Sequence, residues 1–177
     1  MKKTISIIIS IAMCAMLASC GGVKNEVSDT EQPTLIDTMS LEEKVGQILF
    51  VRCVEDGQTD DLMSIKPGGI LMFGRDFEGL TKDEVKEKIQ SYQDKSDIPL
   101  IIGADEEGGT VVRVSSNPNL APEKFKSPQE IYNEGGMDAV VENATEKSEL
   151  LLSLGVNMNL APVADVSTNP SDYMYDS

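Results

Sequence analysis

The chain has 177 residues, 15 of them Lys or Arg and 30 Asp or Glu, for a formal net charge of −15, and it contains no histidine. So acidic a chain is repelled by nucleic acid and by an anionic membrane surface, which argues against both as partners held by charge. The lack of histidine excludes Ser-His and Cys-His nucleophilic pairs and the commonest zinc ligand, leaving carboxylates, Arg, Lys and backbone to carry any chemistry.

Residues 1–19 read as an export signal: Lys2 and Lys3 precede an apolar run from Ile5 to Leu17, too short to span a bilayer comfortably, and Ala18-Ser19 closes it. Leu17-Ala18-Ser19-Cys20-Gly21 has the form of a bacterial lipoprotein box, so Cys20 is the expected lipidation site; an ordinary secretory signal is the alternative. Acyl chains, at about 0.8 kcal/mol per buried CH₂, would anchor the exported domain on the outer side of a cytoplasmic membrane or in an outer membrane or periplasm. Loss of Lys2 and Lys3 with the leader deepens the net charge to −17. Residues 20–34 are polar, with no periodic apolar positions, and are expected to form a flexible tether. Cys14 falls in the leader and Cys20 takes the lipid. Cys53, in the apolar run Ile48 to Val54, therefore has no disulfide partner and reads as a buried small hydrophobe.

Residues 35–177 read as one domain. Ser40 and Glu43 form a capping box opening a helix with Leu41, Val45, Ile48 and Leu49 at helical spacing. Pro67-Gly68-Gly69 marks a turn before Ile70-Leu71-Met72-Phe73, an apolar run suited to a strand buried on both faces. Thr81 and Glu84 repeat the capping box, with Val85, Ile89 and Tyr92 striping the helix that follows. A second strand, Leu100 to Ala104, runs into Asp105-Glu106-Glu107-Gly108-Gly109. Ser115 to Gly136, punctuated by Pro118, Pro122 and Pro128, reads as loop; Met137 to Leu154 reads as helix with Gly155 as its cap, and Val156 to Val163 as a third strand. This alternation predicts an α/β protein with parallel strands. Gly103 to Gly109 lacks a P-loop lysine and its acids would repel phosphate, which favours a barrel over an open nucleotide-binding sheet. A (β/α)₈ barrel takes about 250 residues, so the expectation is the N-terminal part of a TIM-type barrel, incomplete.

Two of these strands end in an acid, Asp105 and Asp165. In a parallel barrel the C-terminal strand ends face the active-site mouth, where a carboxylate can accept from sugar hydroxyls. The alternatives are a solvated acidic turn at Asp105 to Glu107 and a loop-opening aspartate at Asp165.

Four blocks, in order, resemble the N-terminal half of family 3 glycoside hydrolases: Ser40 to Gln47, Pro67 to Phe73, Pro99 to Arg113 and Leu154 to Val166. The wording Ala161-Pro162-Val163-Ala164-Asp165-Val166 and the lipoprotein leader lean toward the β-N-acetylhexosaminidase branch, with the β-glucosidase and xylosidase branch as the neighbouring alternative. The resemblance implies an exo-acting, retaining glycosidase hydrolysing terminal β-N-acetylglucosaminides in carbohydrate or cell-wall glycans, without metal or organic cofactor. It assigns Asp105 to sugar hydroxyls, with Gly108 and Gly109 keeping side chains clear of the ligand. It places Arg75 near the sugar pocket, unless it is a surface arginine paired with Asp76 or Glu78. It gives Arg113 a structural role, and has Asp165, with Asn157 and Asn159, shaping the pocket floor or touching the sugar. The branch's acid/base histidine and nucleophilic aspartate occur on later segments. No catalytic residue is therefore expected within these 177 residues, and this truncated stretch is expected to be inactive alone. A non-catalytic sugar-binding lipoprotein is the competing reading. Asp165, Asn169, Asp172 and Asp176 do not follow an EF-hand spacing, and the sequon at Asn143 reads as chance.

Overall fold

The structure, a computed structural model, describes residues 34–55, 57–165 and 167–172; the leader 1–19, the lipidation site Cys20, residues 21–33 of the tether and Asp176 lie outside them. One helical turn, α1 (Leu35–Thr38), is closed by Asp37, whose carboxylate accepts from the Thr34 amide at 2.8 Å and hydroxyl at 2.7 Å. The other elements belong to the unit that begins at Thr38.

Ser40 caps α2 (Leu41–Gln47) as the sequence predicts: its hydroxyl accepts from the Glu43 amide at 3.2 Å, and Glu43 accepts from the Ser40 amide at 2.8 Å. Glu43 also meets Lys66 at 2.5 Å, and this lysine, helped by the Ser40 bonds, holds the Glu43 carboxyl down to about 2. The apolar stripe of α2 does not enter the core. Leu41 is 73% exposed and Ile48 80%, and Leu41, Val45, Leu49 and Ile65 line an open groove of about 630 Å³. The cause is Gly46, the buried position of the helix. A Cβ there would meet the Ile65 carbonyl oxygen at 2.2 Å, so backbone packs on backbone and the apolar side chains turn outward.

Four parallel strands, β1 (Phe50–Arg52), β2 (Gly69–Leu71), β3 (Ile101–Ala104) and β4 (Met158–Asn159), pair in chain order, with Val51 beside Ile70, Ile70 beside Ile102 and Ala104 beside Asn159. The connections are helical: α3 (Thr59–Ser64) from β1 to β2, α4 (Gly74–Phe77) and α5 (Lys82–Gln93) from β2 to β3, and α6 (Pro128–Leu154) from β3 to β4. Parallel strands added in sequence through helical crossovers make this α/β fold a partial TIM-type barrel.

Side chains alternate across a strand, and here the two faces differ sharply. Ile70, Ile102 and Ala104 are fully buried against Val85, Ile89 and Tyr92 of α5 and Leu151 and Leu154 of α6. Phe50, Gly69, Ile101 and Gly103 fall on the other face, where Phe50 and Ile101 remain partly exposed. Phe50 lies across that face because β2 and β3 offer glycine there: a Cβ on Gly69 or Gly103 would come within 2.5 Å of its ring. Arg52, Phe73 and Asp105 continue the same alternation to the C-terminal end of the sheet.

Some boundaries differ from the sequence reading. The run Ile48 to Val54 contains a strand, β1, with Cys53 buried just beyond it. The expected third strand, Val156 to Val163, keeps only the two ladder residues of β4. The loop expected at Ser115 to Gly136 ends at Ser127, whose hydroxyl accepts from the Glu130 amide at 3.3 Å while Pro128 opens α6. Gly136, at φ 68°, breaks α6, and Gly155 ends it at φ 92°.

Candidate functional site

Asp105 follows the last residue of β3, so its direction is set by the strand. Its carboxylate meets the Arg113 guanidinium as a fork, Nε to Oδ1 at 2.6 Å and Nη2 to Oδ2 at 2.5 Å, with each side chain about a quarter exposed (23% and 24%). Arg113 also stands over the Phe73 ring, 5.7 Å from its centroid, and Arg52 at the end of β1 stands 4.6 Å from the same centroid. Arg52, Phe73, Arg113 and Asp105 thus form one row across the ends of β1, β2 and β3.

The next residue points to the opposite face and holds the row in place. Glu106 is fully buried, and its carboxylate accepts from the amides of Arg113 at 2.7 Å and Val114 at 2.6 Å, from the Ser115 amide at 3.4 Å and from the Ser115 hydroxyl. A buried carboxylate is tolerable only when its lone pairs are filled this way. The same bonds fix the backbone at Arg113, and with it the root of the fork on Asp105. Lys147 of α6, only 7% exposed, adds a cation nearby: its Nζ donates to the Glu107 carbonyl at 2.5 Å and stands over the Phe125 ring. Burial pushes the Lys147 amine below its ordinary value, against the pull of Glu106 and Glu107.

The two glycines after this acidic run act on the protein itself. Gly108 has φ 106°, and a Cβ there would sit 2.1 Å from the Lys126 carbonyl oxygen; Gly109 has φ 61° and abuts Ser127. Within the protein, the close approach requiring glycine is to the segment before α6. Asn159 of β4 and Asn157 just before it are likewise occupied with the sheet. Asn157 accepts from the Ile102 amide at 2.8 Å and donates to the Leu100 carbonyl at 3.2 Å; Asn159 accepts from the Glu106 amide at 3.0 Å and donates to the Glu106 carbonyl at 3.2 Å. Their amides imitate ladder bonds on either side of a two-residue strand.

Asp165 lies in the segment beyond β4, which Val163 ties to the Glu107 carboxylate at 3.3 Å. It is exposed and borders a cleft of about 200 Å³ with Glu107, Gly108, Thr110, Gln129 and Pro162. The cleft takes in the turn after β3 but not Asp105, so the two aspartates share an end of the sheet without sharing a recess. Arg75, in the first turn of α4, folds back on its own neighbourhood: it is 3.7 Å from Asp76 and 4.0 Å from Glu55, and donates to the Cys53 carbonyl at 3.4 Å. Its partners are the expected Asp76 and, in place of Glu78, Glu55.

Asn169 uses its side chain in its own turn, accepting from the Ser171 amide at 3.1 Å, and among the described residues no three His, Cys, Asp or Glu groups could hold a metal ion. The sequence reading passed over Arg52 and Lys147 and considered Glu106 only as part of a solvated acidic turn, whereas it is fully buried. Only Arg52 leaves a signal, as a charge two residues beyond Phe50 inside an apolar strand-like run.

The family model described as the glycosyl hydrolase family 3 N terminal domain matches residues 40–176. Beta-hexosaminidase A of Pseudoalteromonas piscicida is 31% identical over 108 residues, covering 59% of this chain and 18% of that protein. Beta-hexosaminidase of Haemophilus influenzae is 24% identical over 98 residues, covering 55% of this chain and 27% of that protein. The solved structure of a glycoside hydrolase family 3 beta-N-acetylglucosaminidase from Paenibacillus sp. strain FPU-7 matches with a TM-score of 0.61 and 25% identity, over 70% of this chain and 24% of that one. This chain therefore matches only a minor part of each relative's length. With its four ordered sequence blocks, its parallel sheet and the matched stretch 40–176 in agreement, the chain belongs to glycosyl hydrolase family 3, as an N-terminal domain.

Proposed function

We propose that this chain supplies sugar recognition to a glycosidase that removes terminal β-linked N-acetylglucosamine from carbohydrate or cell-wall glycans, with Asp105 accepting the sugar's hydroxyls. The observation that carries the reading is the state of Asp105: a carboxylate at a strand's C-terminal end whose two oxygens each give one contact to Arg113. A carboxylate has roughly four lone-pair sites, so about two remain for paired hydroxyl donors. The hexosaminidase names of the relatives support the choice of sugar. Titration of the chain with methyl N-acetyl-β-glucosaminide, followed by NMR, tests it: Asp105→Asn should weaken binding at least about tenfold, a step of about 1.4 kcal/mol. Unchanged binding by Asp105→Asn would refute the assignment. Arg75 and Asp165 take peripheral places in this reading, at the edges of the same end of the sheet.

The chemistry would be retaining hydrolysis through a covalent glycosyl-enzyme intermediate, which requires two catalytic groups about 5 Å apart. These 177 residues hold no histidine to act as the branch's acid/base. A chromogenic N-acetylglucosaminide incubated with this chain alone should therefore release nothing above a buffer blank. A sugar-binding lipoprotein without chemistry is the second reading, and a reading frame that carries a histidine-bearing loop beyond Ser177 decides against it. Cys20 serves in either case as the lipid anchor on the exported side of the membrane, and Cys20→Ser should move the protein from the membrane fraction to the soluble one.

A further inference from the structure

The buried residues of α6 are Lys147, Leu151 and Leu154, at the spacing of one helical face. Leu151 and Leu154 join the core, and the same face carries a lysine at 147. Burial lowers its amine against the pull of Glu106 and Glu107, so the ammonium gives up hydration to lie there. An apolar side chain of similar length would fill the layer without that loss. A position that departs in this way from its local pattern is one where something other than packing is gained.

What the lysine adds is a contact across the layer. Its Nζ donates to the Glu107 carbonyl at 2.5 Å, stands over the Phe125 ring, and is 3.3 Å from where a Cβ on Gly108 would lie. Glu107 and Gly108 form the apex of the loop that Asp105 opens and Arg113 closes; both their amides donate to the Val111 carbonyl at 3.0 Å. The loop is thus held at three points: its start by β3, its end by the Glu106 carboxylate on the Arg113 amide, and its apex by Lys147. A turn of the apex would move the two ends relative to each other, and the ends carry the two halves of the Asp105–Arg113 fork. A charged donor holds a carbonyl more firmly than a neutral one, which is a reason for an ammonium at this place.

We propose that Lys147 is a positioning residue for sugar recognition: from the helical layer it fixes the apex of the 105–113 loop, and with it the angle at which Arg113 presents the Asp105 carboxylate. This rests on the sugar-binding reading of Asp105 and extends it to a residue that itself touches no sugar.

The test titrates the full chain with methyl N-acetyl-β-glucosaminide by NMR, at a temperature where urea unfolding shows each protein fully folded, and follows the Arg113 Nε–H signal in the same samples. Lys147→Met should weaken binding by about threefold to tenfold, and should shift or broaden the Arg113 signal before any sugar is added. Lys147→Arg, which returns a cationic donor, should recover part of the affinity and of the signal. Leu151→Val, which loosens the same helix face one turn away from the loop, should leave both as in the wild type. If Lys147→Met does not fold, Lys147→Leu replaces it with the same expectations. Wild-type affinity in the apolar variant, a loss of affinity with the Arg113 signal unmoved, an equal loss in Leu151→Val, or no recovery in Lys147→Arg overturns the proposal and leaves the Asp105 site standing. Failure of the wild type to bind, or unchanged binding by Asp105→Asn in the same series, overturns the reading of Asp105 and this proposal with it.

Discussion

Arg113 reaches back eight residues to place its Nε and Nη2 atoms on separate oxygens of Asp105, at 2.6 and 2.5 Å. A lysine would carry the same charge without the fork, so it would hold the carboxylate at one point and leave it free to rotate. Arg113→Lys should therefore weaken N-acetylglucosaminide binding several-fold. At a pair still about a quarter exposed, it should cost less than about 1 kcal/mol of folding stability. Titration and urea unfolding of one preparation separate the two effects; a loss of stability without loss of binding would make the pair purely structural.

The opposite balance is expected at Glu106. Its carboxylate is fully buried and accepts from the amides of Arg113, Val114 and Ser115 and from the Ser115 hydroxyl. Glu106→Gln replaces one accepting oxygen by an amide group that points donors at donors. The expected cost is about 2–4 kcal/mol by urea or thermal unfolding, against about 1–2 kcal/mol for Ser115→Ala, which removes one donor to Glu106 and the acceptor of the Phe125 amide. A Glu106→Gln variant within about 0.5 kcal/mol of wild type would show that this carboxylate is not what organises the loop.

What the sequence disclosed and what it hid follow from the range of the forces involved. Caps at Ser40 and Thr81, the stripe Val85-Ile89-Tyr92 and the Gly155 stop are local, and each stands where periodicity and capping chemistry put it. Ser127-Pro128 is misleading for a local reason as well: proline reads as an interruption, although at the first turn its missing N–H costs nothing and its fixed φ favours the helix. The outward turn of Leu41 and Ile48 could not be read, because it depends on Gly46 meeting Ile65, a contact between distant stretches. Nor could the different fates of Asp105 and Glu106: side chains one position apart on a strand face opposite ways, and which face is buried is decided by helices far along the chain. Asp105 was legible as a strand-end acid, whereas Arg52 became visible only once Phe73 was seen beneath it.

The turn after β3 allows a comparison of glycines. Gly108 combines φ 106° with the Lys126 carbonyl oxygen 2.1 Å from any added Cβ, whereas Gly79 has φ 73° with nothing within 4 Å. Gly79→Ala should cost about 1 kcal/mol, the penalty of the left-handed conformation alone. Gly108→Ala adds a clash with rigid backbone and should cost more than about 2 kcal/mol in thermal or urea unfolding, and should also weaken sugar binding by shifting the Asp105 turn. Equal costs for the two variants would mean that the turn can move away from Lys126 freely.

Lys147 gives a pH signature with a definite sign. Burial lowers its folded-state value, while the unfolded chain titrates near the ordinary 10.5. Between those two values the unfolded chain binds more protons, so this group makes stability rise with pH; below the folded value its desolvation penalty is constant. Cys53 acts in the opposite sense. Burial raises its thiol, so its contribution is lost as pH climbs through the ordinary 9.0 and on through the raised folded value. A wild-type stability curve alone would mix the two. Lys147→Met keeps the length of the side chain, gives up the bond to the Glu107 carbonyl, and takes away no titrating group but the lysine, so Cys53 cancels in the comparison. Relative to Lys147→Met, the wild type should gain stability between neutral pH and about 10.5, as measured by urea unfolding at intervals across that range. Parallel curves for the two proteins would mean that the amine is not desolvated in solution, and that its bond to the Glu107 carbonyl is made in water rather than inside the fold.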